Sequence, residues 1–237
     1  MNSLKNLACA IMLGLQPSNL RGYLRAMLDE YRNRNRRKRA LLMVNPLLAS
    51  HRPLRLELGS GGFGRDGWIG IDLCSDADLQ WDLREPLPFP DGSIMEIHSE
   101  HVFEHLDFPD ELLPLLGECW RVLRTNGIIS FSVPNMRPLL EAYVEGNRAF
   151  LEERIWDLPP RRRRDYVTDL DLITWFASRE GDHRCMFDPE TAIQRLRDVG
   201  FVDIHVREFD PERDYPRRLS SVYVQAVKPL VTGRTKG

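Results

Sequence analysis

Apolar positions along the chain change their period at Leu54. Between residues 18 and 45 they recur at helical spacing. Leu20, Leu24, Met27 or Leu28, and Tyr31 form one stripe, and Ser18 or Asn19 is placed to cap its start. Charge takes over at RNRNRRKR (32–39), and Pro46 and Pro53 mark a linker. Beyond it, RLEL (55–58), WIGID (68–72), IMEIHS (94–99), IISFSV (128–133), FVDIHVREF (201–209) and SSVYVQAV (220–227) predict strands. PDELLPLLGECWRVL (109–123) predicts a helix burying Leu112, Leu116, Cys119 and Leu123, ended by TNG. Pro114 is tolerable there only in the first turn. FDPETAIQRLRDVG (187–200) predicts another, opened by an acid and a proline and stopped by Gly200.

Strands alternating with helices predict an α/β fold: a Rossmann-like, doubly wound sheet, mostly parallel with an antiparallel last strand. An N-terminal helical extension over 1–50 precedes a main domain over 51–230, and 231–237 is a tail. The block 136–186 breaks the rhythm and reads as an insertion. It carries Tyr143, Trp156, Tyr166, Trp175 and Phe176, aromatic faces that suit a sugar but are also ordinary core residues.

Composition narrows the picture modestly. With 237 residues, 42% hydrophobic and 29% charged, the chain matches an ordinary globular protein, and its net charge of −2 points to no polyanion. The first fifty residues nevertheless hold nine Lys and Arg against two acids. A charge run is usually a solvated face, so nucleic acid ranks low as a partner. A basic amphipathic segment also fits peripheral contact with the inner face of an anionic membrane, or docking on this domain or on a second copy in a homo-oligomer. The apolar run LACAIMLGL (7–15) is too short to span a bilayer. The cysteines, Cys9, Cys74, Cys119 and Cys185, are scattered and read as reduced thiols in a cytoplasmic protein.

Candidate chemistry begins at ELGSGGFGRDGWIGID (57–72), where Gly59, Gly61 and Gly64 fit G-x-G-x-x-G. A nicotinamide site places its ribose-binding acid about 20 residues on, after a full helix. Asp72 follows Gly64 by eight residues, too few for a crossover that normally takes at least about 10–12. Another nucleotide-like ligand fits the spacing better.

Four segments in order, ELGSG, GWIGIDL, DLREPLPFPDGSIMEIHSEHVFEHL and ECWRVLRTNGIISFSVPN, resemble class I S-adenosylmethionine-dependent methyltransferases. The likeness is to the type 11 kind, in a short-loop branch often associated with glycan biosynthesis. It is strong over about 54–135 and looser over 183–227. The resemblance implies S-adenosyl-L-methionine as cofactor, released as S-adenosyl-L-homocysteine. Glu57, Gly59, Ser60 and Gly61 match its first motif, while the third glycine of that motif falls at Phe63. Asp72 and Leu73 match the ribose site. Asp82 and Leu83 match the adenine site, and Ser99 and Glu100 the strand end beside the sulfonium. The acceptor implied is a saccharide hydroxyl. A small secondary metabolite, and a binding module that has lost catalysis, are the alternatives.

A hydroxyl acceptor gains from a general base, and histidine suits that role near neutral pH. The candidates are His101, after the fourth strand, and His183, in GDHRCMF with Asp182 placed to orient it. HVFEH (101–105) also spells H-x-x-E-H, whose histidines on a helix would share a face and could hold zinc. A hydrolase on that pattern needs a third ligand that nothing nearby announces. No residue is therefore assigned as a metal ligand, and transfer assisted by a divalent metal stays open.

Overall fold

The structure is a computed structural model, and it describes residues 31, 37–50, 52–62, 64–154, 165–216 and 220–230. The apolar run 7–15, most of the basic run, Phe63, Trp156 and the tail 231–237 lie outside the described residues. Strands β1 (Leu54–Leu58), β2 (Ile69–Asp72), β3 (Leu79–Gln80), β4 (Ile94–Glu100), β5 (Leu123–Pro134), β6 (Val202–Arg207) and β7 (Ser221–Val227) form one sheet. Their spatial order is β3-β2-β1-β4-β5-β7-β6. Every neighbouring pair up to β5 is parallel, and β7 alone runs against its neighbours, β5 and β6. This is the Rossmann-like arrangement with a reversed last strand.

Burial explains why the central strands are legible. In β4, six of the seven residues are buried, as expected of a parallel strand covered on both faces. In β7 buried and half-buried residues alternate, the signature of an antiparallel strand nearer the edge. The outermost strand β6 has no fully buried residue, and its FVDIHVREF pattern reflects backbone pairing more than core packing. Two readings need correction. β3 was not expected; it is two residues long, and its place comes from pairing Ile71 with Leu79. β5 begins at Leu123, directly after the preceding helix, so Leu123 is a buried strand residue instead of the helix's last apolar position.

Helices cover the sheet. A helix over 37–49 (α1) buries Ala40 and Val44 in the main core. Its Arg37 pairs with Glu85 at 3.1 Å and stands over the Trp81 ring, so this one residue of the basic run docks on the domain. Among the described residues no helix is long and apolar enough to cross a membrane. Helix α2 (Leu112–Val122) buries Leu112, Leu115, Leu116, Cys119 and Val122, and Pro114 sits in its first turn. The segment after β5 contributes α3 (Arg137–Val144), α4 (Arg148–Glu152) and α5 (Asp169–Ser178). These helices share a small second core, in which Trp175 and Phe176 are buried. Packing thus accounts for Trp175, while Tyr143 stays exposed. Helix α6 (Pro189–Val199) is capped by Asp188, whose side chain accepts from the Thr191 N–H. It ends at Gly200 with φ +99°, a left-handed conformation that glycine adopts without cost.

Candidate active site

β1 and β4 lie side by side, yet the chain leaves them toward opposite ends of the sheet. A crevice opens beyond their carboxyl ends, the switch point where ligands of α/β folds bind. Gly59 leaves β1 with φ +70°, and its N–H donates to the Ile71 carbonyl at 2.8 Å. The glycine loop is also sewn to the end of β2. Asp72 Oδ2 accepts from the Gly61 N–H and Oδ1 from the Cys74 N–H, each at 2.9 Å. Each carboxylate oxygen keeps a second lone pair for a ligand.

Gly59, Asp72, Leu73, Asp82, Leu83 and His101 line one cavity of about 470 Å³. Six residues named from sequence, spread over some forty positions, thus converge on one concave space of a size typical for small-molecule sites. Arg84, which sequence reasoning missed, also lines it. Its guanidinium grips Asp82 through two hydrogen bonds, at 2.9 and 2.7 Å, and Asp82 raises the Arg84 pKa through that bonding. The contact joins residues two apart in an irregular segment, so no periodicity announces it.

The other named residues do not line this cavity. Gly61 works through its N–H on Asp72. Glu57 is buried beneath the loop and bonded to Arg65 at 3.2 Å, and burial pushes its carboxyl up despite that cation. Ser60 is buried against Gly70. Ser99 donates across the sheet to the Leu58 carbonyl at 3.2 Å, tying β4 to β1. Glu100 turns away altogether. It accepts from the Tyr215 N–H and lies 3.1 Å from His98 Nε2, in a buried polar layer with Asp214 and Arg207. Glu57, Ser60, Ser99 and Glu100 thus brace the loop and strand ends around the cavity, and their side chains do not line it.

HVFEH does not form the helix that would put both its histidines on one face. Only Phe103–His105 make a single 3-10 turn, and His101 precedes it with φ +55°. The two histidines consequently do not share a helix face. His101 Nε2 lies 2.8 Å from Ser221 Oγ on β7, and its Nδ1 lies 3.3 Å from Glu104 Oε1. Ser221 is 120 positions away, and only the pairing of β5 with β7 brings it there. His183 lies outside the cavity, in a groove with Met136 and Phe176. Its ring meets that of His105 edge-on at 5.1 Å, and His105 does line the cavity. Burial lowers the His183 pKa, with Glu104 opposing and His105 and Arg179 reinforcing.

A family model described as a methyltransferase domain matches residues 72–131, about a quarter of the chain. A search of curated proteins finds no match. Among solved structures, an S-adenosylmethionine-dependent methyltransferase from Archaeoglobus fulgidus is 18% identical, with 86% of this chain and 99% of that one covered and a TM-score of 0.46. One from Mesorhizobium loti is also 18% identical, with 77% and 96% covered and a TM-score of 0.45. Phosphoethanolamine N-methyltransferase 2 of Haemonchus contortus, solved with S-adenosyl-L-methionine, is 14% identical with a TM-score of 0.43. There 75% of this chain is covered, and the match spans about half of that longer protein, 49%. The sheet order and the switch-point cavity define a Rossmann-like domain, and its segment 72–131 is similar to a methyltransferase domain.

Proposed function

We propose that this protein is an S-adenosyl-L-methionine-dependent methyltransferase acting on the hydroxyl of a saccharide or related polyol. The observation that carries the reading is Asp72. Its carboxylate is pinned by two backbone N–H groups at the end of β2, and it lines one cavity with Gly59, Asp82 and Leu83. That is the placement a ribose diol needs, since a pinned carboxylate accepts two hydroxyl protons without reorganising. Leu83 offers a backbone N–H and Asp82 a carboxylate for the adenine edge. When bound, the cofactor supplies a methyl group on sulfur, and its leaving group, a neutral thioether, needs no protonation.

The chain's own work is then to position the acceptor and take its proton. His101 stands in the cavity wall, its Nδ1 3.3 Å from Glu104 Oε1, and its Nε2 is the proton acceptor. Ser221 Oγ, 2.8 Å from that same nitrogen, holds the ring in the free protein and gives up the nitrogen's lone pair to the acceptor hydroxyl. Asp107, Glu111 and Arg184 also line the cavity, and such charged groups match a polyhydroxyl acceptor better than an apolar one.

Calorimetric titration of the full chain with S-adenosyl-L-methionine tests the reading. One equivalent is expected to bind, with the heat lost in Asp72→Ala. A folded protein that gives no heat at saturating cofactor overturns it. Methyl-labelled cofactor with pooled saccharides then identifies the acceptor, and labelling confined to non-hydroxylic acceptors overturns the acceptor class.

A further inference from the structure

Glu104 is 1% exposed, and neither oxygen of its carboxylate has a hydrogen-bond partner. A buried charge of this kind is costly unless a cation compensates it. Three imidazoles stand around it instead. Besides His101, one donor atom each of Glu104, His105 and His183 lies within 4.8 Å of the others. We propose that Glu104, His105 and His183 form a binding site for a zinc-type divalent metal ion at the rim of the cavity.

The surroundings are built as a metal site requires. His105 Nδ1 lies 2.9 Å from the Asp182 carbonyl, so it carries the proton and donates it there. Nε2 is left with its lone pair, 4.0 Å from Glu104 Oε1. A ligating histidine characteristically gives its other N–H to a carbonyl in this way, which fixes both tautomer and ring orientation. The segment bearing His183 is fastened to the same turn. The N–H groups of Arg184 and Cys185 both donate to the Glu104 carbonyl, at 2.7 and 3.2 Å. His183 thereby supplies the third ligand that HVFEH by itself lacks.

Two imidazole nitrogens and one carboxylate oxygen suit zinc and its late first-row neighbours better than magnesium or calcium, which prefer all-oxygen shells. Ligand bonds of about 2.1 Å place tetrahedral donors about 3.4 Å apart, so the Glu104–His105 separation needs to close by about half an ångström. Three protein ligands leave the fourth position open, as in catalytic zinc sites. A second cluster, His98, Glu100 and Asp214, differs in kind. There Arg207 and the Tyr215 N–H already compensate the carboxylates. If the methyltransferase reading holds, an acceptor oxygen at the open position would be polarised beside His101, and that consequence alone rests on the reading.

Purified full-length protein dialysed against Zn²⁺ and then against metal-free buffer is expected to retain about one equivalent by elemental analysis. Co²⁺ in its place should show the strong visible bands of a tetrahedral nitrogen–oxygen site. His105→Ala and His183→Ala should each weaken binding at least tenfold, while His205→Ala, at an exposed histidine outside the cluster, should not. Circular dichroism melting distinguishes lost ligation from lost fold, and Glu104→Gln supplies an uncharged replacement of similar size. Less than a tenth of an equivalent in the wild type overturns the site. So does undiminished binding in folded His105→Ala and His183→Ala. Cofactor titration without metal reports the methyltransferase reading independently.

Discussion

Gly59 and Val102 meet so closely that a Cβ on the glycine would lie 2.1 Å from Val102 Cγ2. The strand-end glycine and the residue after His101 thus close the floor of the cavity together. Gly59→Ala adds both this collision and the strain of φ +70°, about 1–2 kcal/mol for the latter. It should lower the melting temperature and abolish cofactor binding. Val102→Ala in the same chain removes the collision and leaves the strain. Partial recovery of the melting temperature is therefore expected, and none at all would show that packing against Val102 is not the obstacle.

Asp72→Ala removes a carboxylate that holds two backbone N–H groups as well as any ligand. Hydrogen bonds to charged groups are worth about 1.5–3 kcal/mol each. Affinity for S-adenosyl-L-methionine should fall by more than tenfold, and the fold should lose several degrees of melting temperature because the glycine loop comes loose. Calorimetry and thermal melting read the two effects separately. A variant with wild-type affinity would remove Asp72 from the site.

His101→Ala should reduce turnover by about 10²–10⁴ while cofactor affinity changes little, because the ring borders the cavity without belonging to the ribose or adenine groups. Ser221→Ala should cost much less, since it loosens the ring without removing the proton acceptor. Equal losses in the two variants would assign the histidine a purely structural part.

Glu118 accepts from Arg121 at 2.7 and 2.8 Å and from the Leu87 N–H at 2.8 Å. The Arg121 hydrogen bond leads in holding its carboxyl below the ordinary value of 4.5. A carboxyl depressed by folding contributes its stability above the unfolded pKa, and that contribution disappears as pH falls through the folded one. The melting-temperature gap between wild type and Glu118→Gln should therefore be constant near neutrality. It should begin to shrink near pH 4.5 and close below it. A gap that persists unchanged into strong acid would mean that the ionised carboxylate is not what stabilises this turn.

Much of this protein is determined locally. The central strands announce themselves because both faces are buried, so apolar residues run almost without break from Ile94 to Ile97. Helix α6 is legible for a different local reason: its Asp188 cap, Pro189 and Gly200 each act on the neighbouring backbone. Gly59 and Asp72 stand at the ends of strands that are legible in the same local way, whereas Asp82 is singled out only by the family resemblance. β3 escapes such reading because two residues carry no period. The start of β5 at Leu123 escapes it because pairing with Ile94 overrides the helical pattern. Only the tertiary structure decides which side chains reach the cavity. Ser99 and Glu100 are adjacent on one strand, yet one spends its hydroxyl on β1 and the other its carboxylate on Tyr215. Glu104 is decided in the same way. Its isolation from hydrogen-bond donors, and the arrival of His183 beside it, depend on a loop some eighty residues distant that donates to its backbone, and no local pattern encodes such a contact.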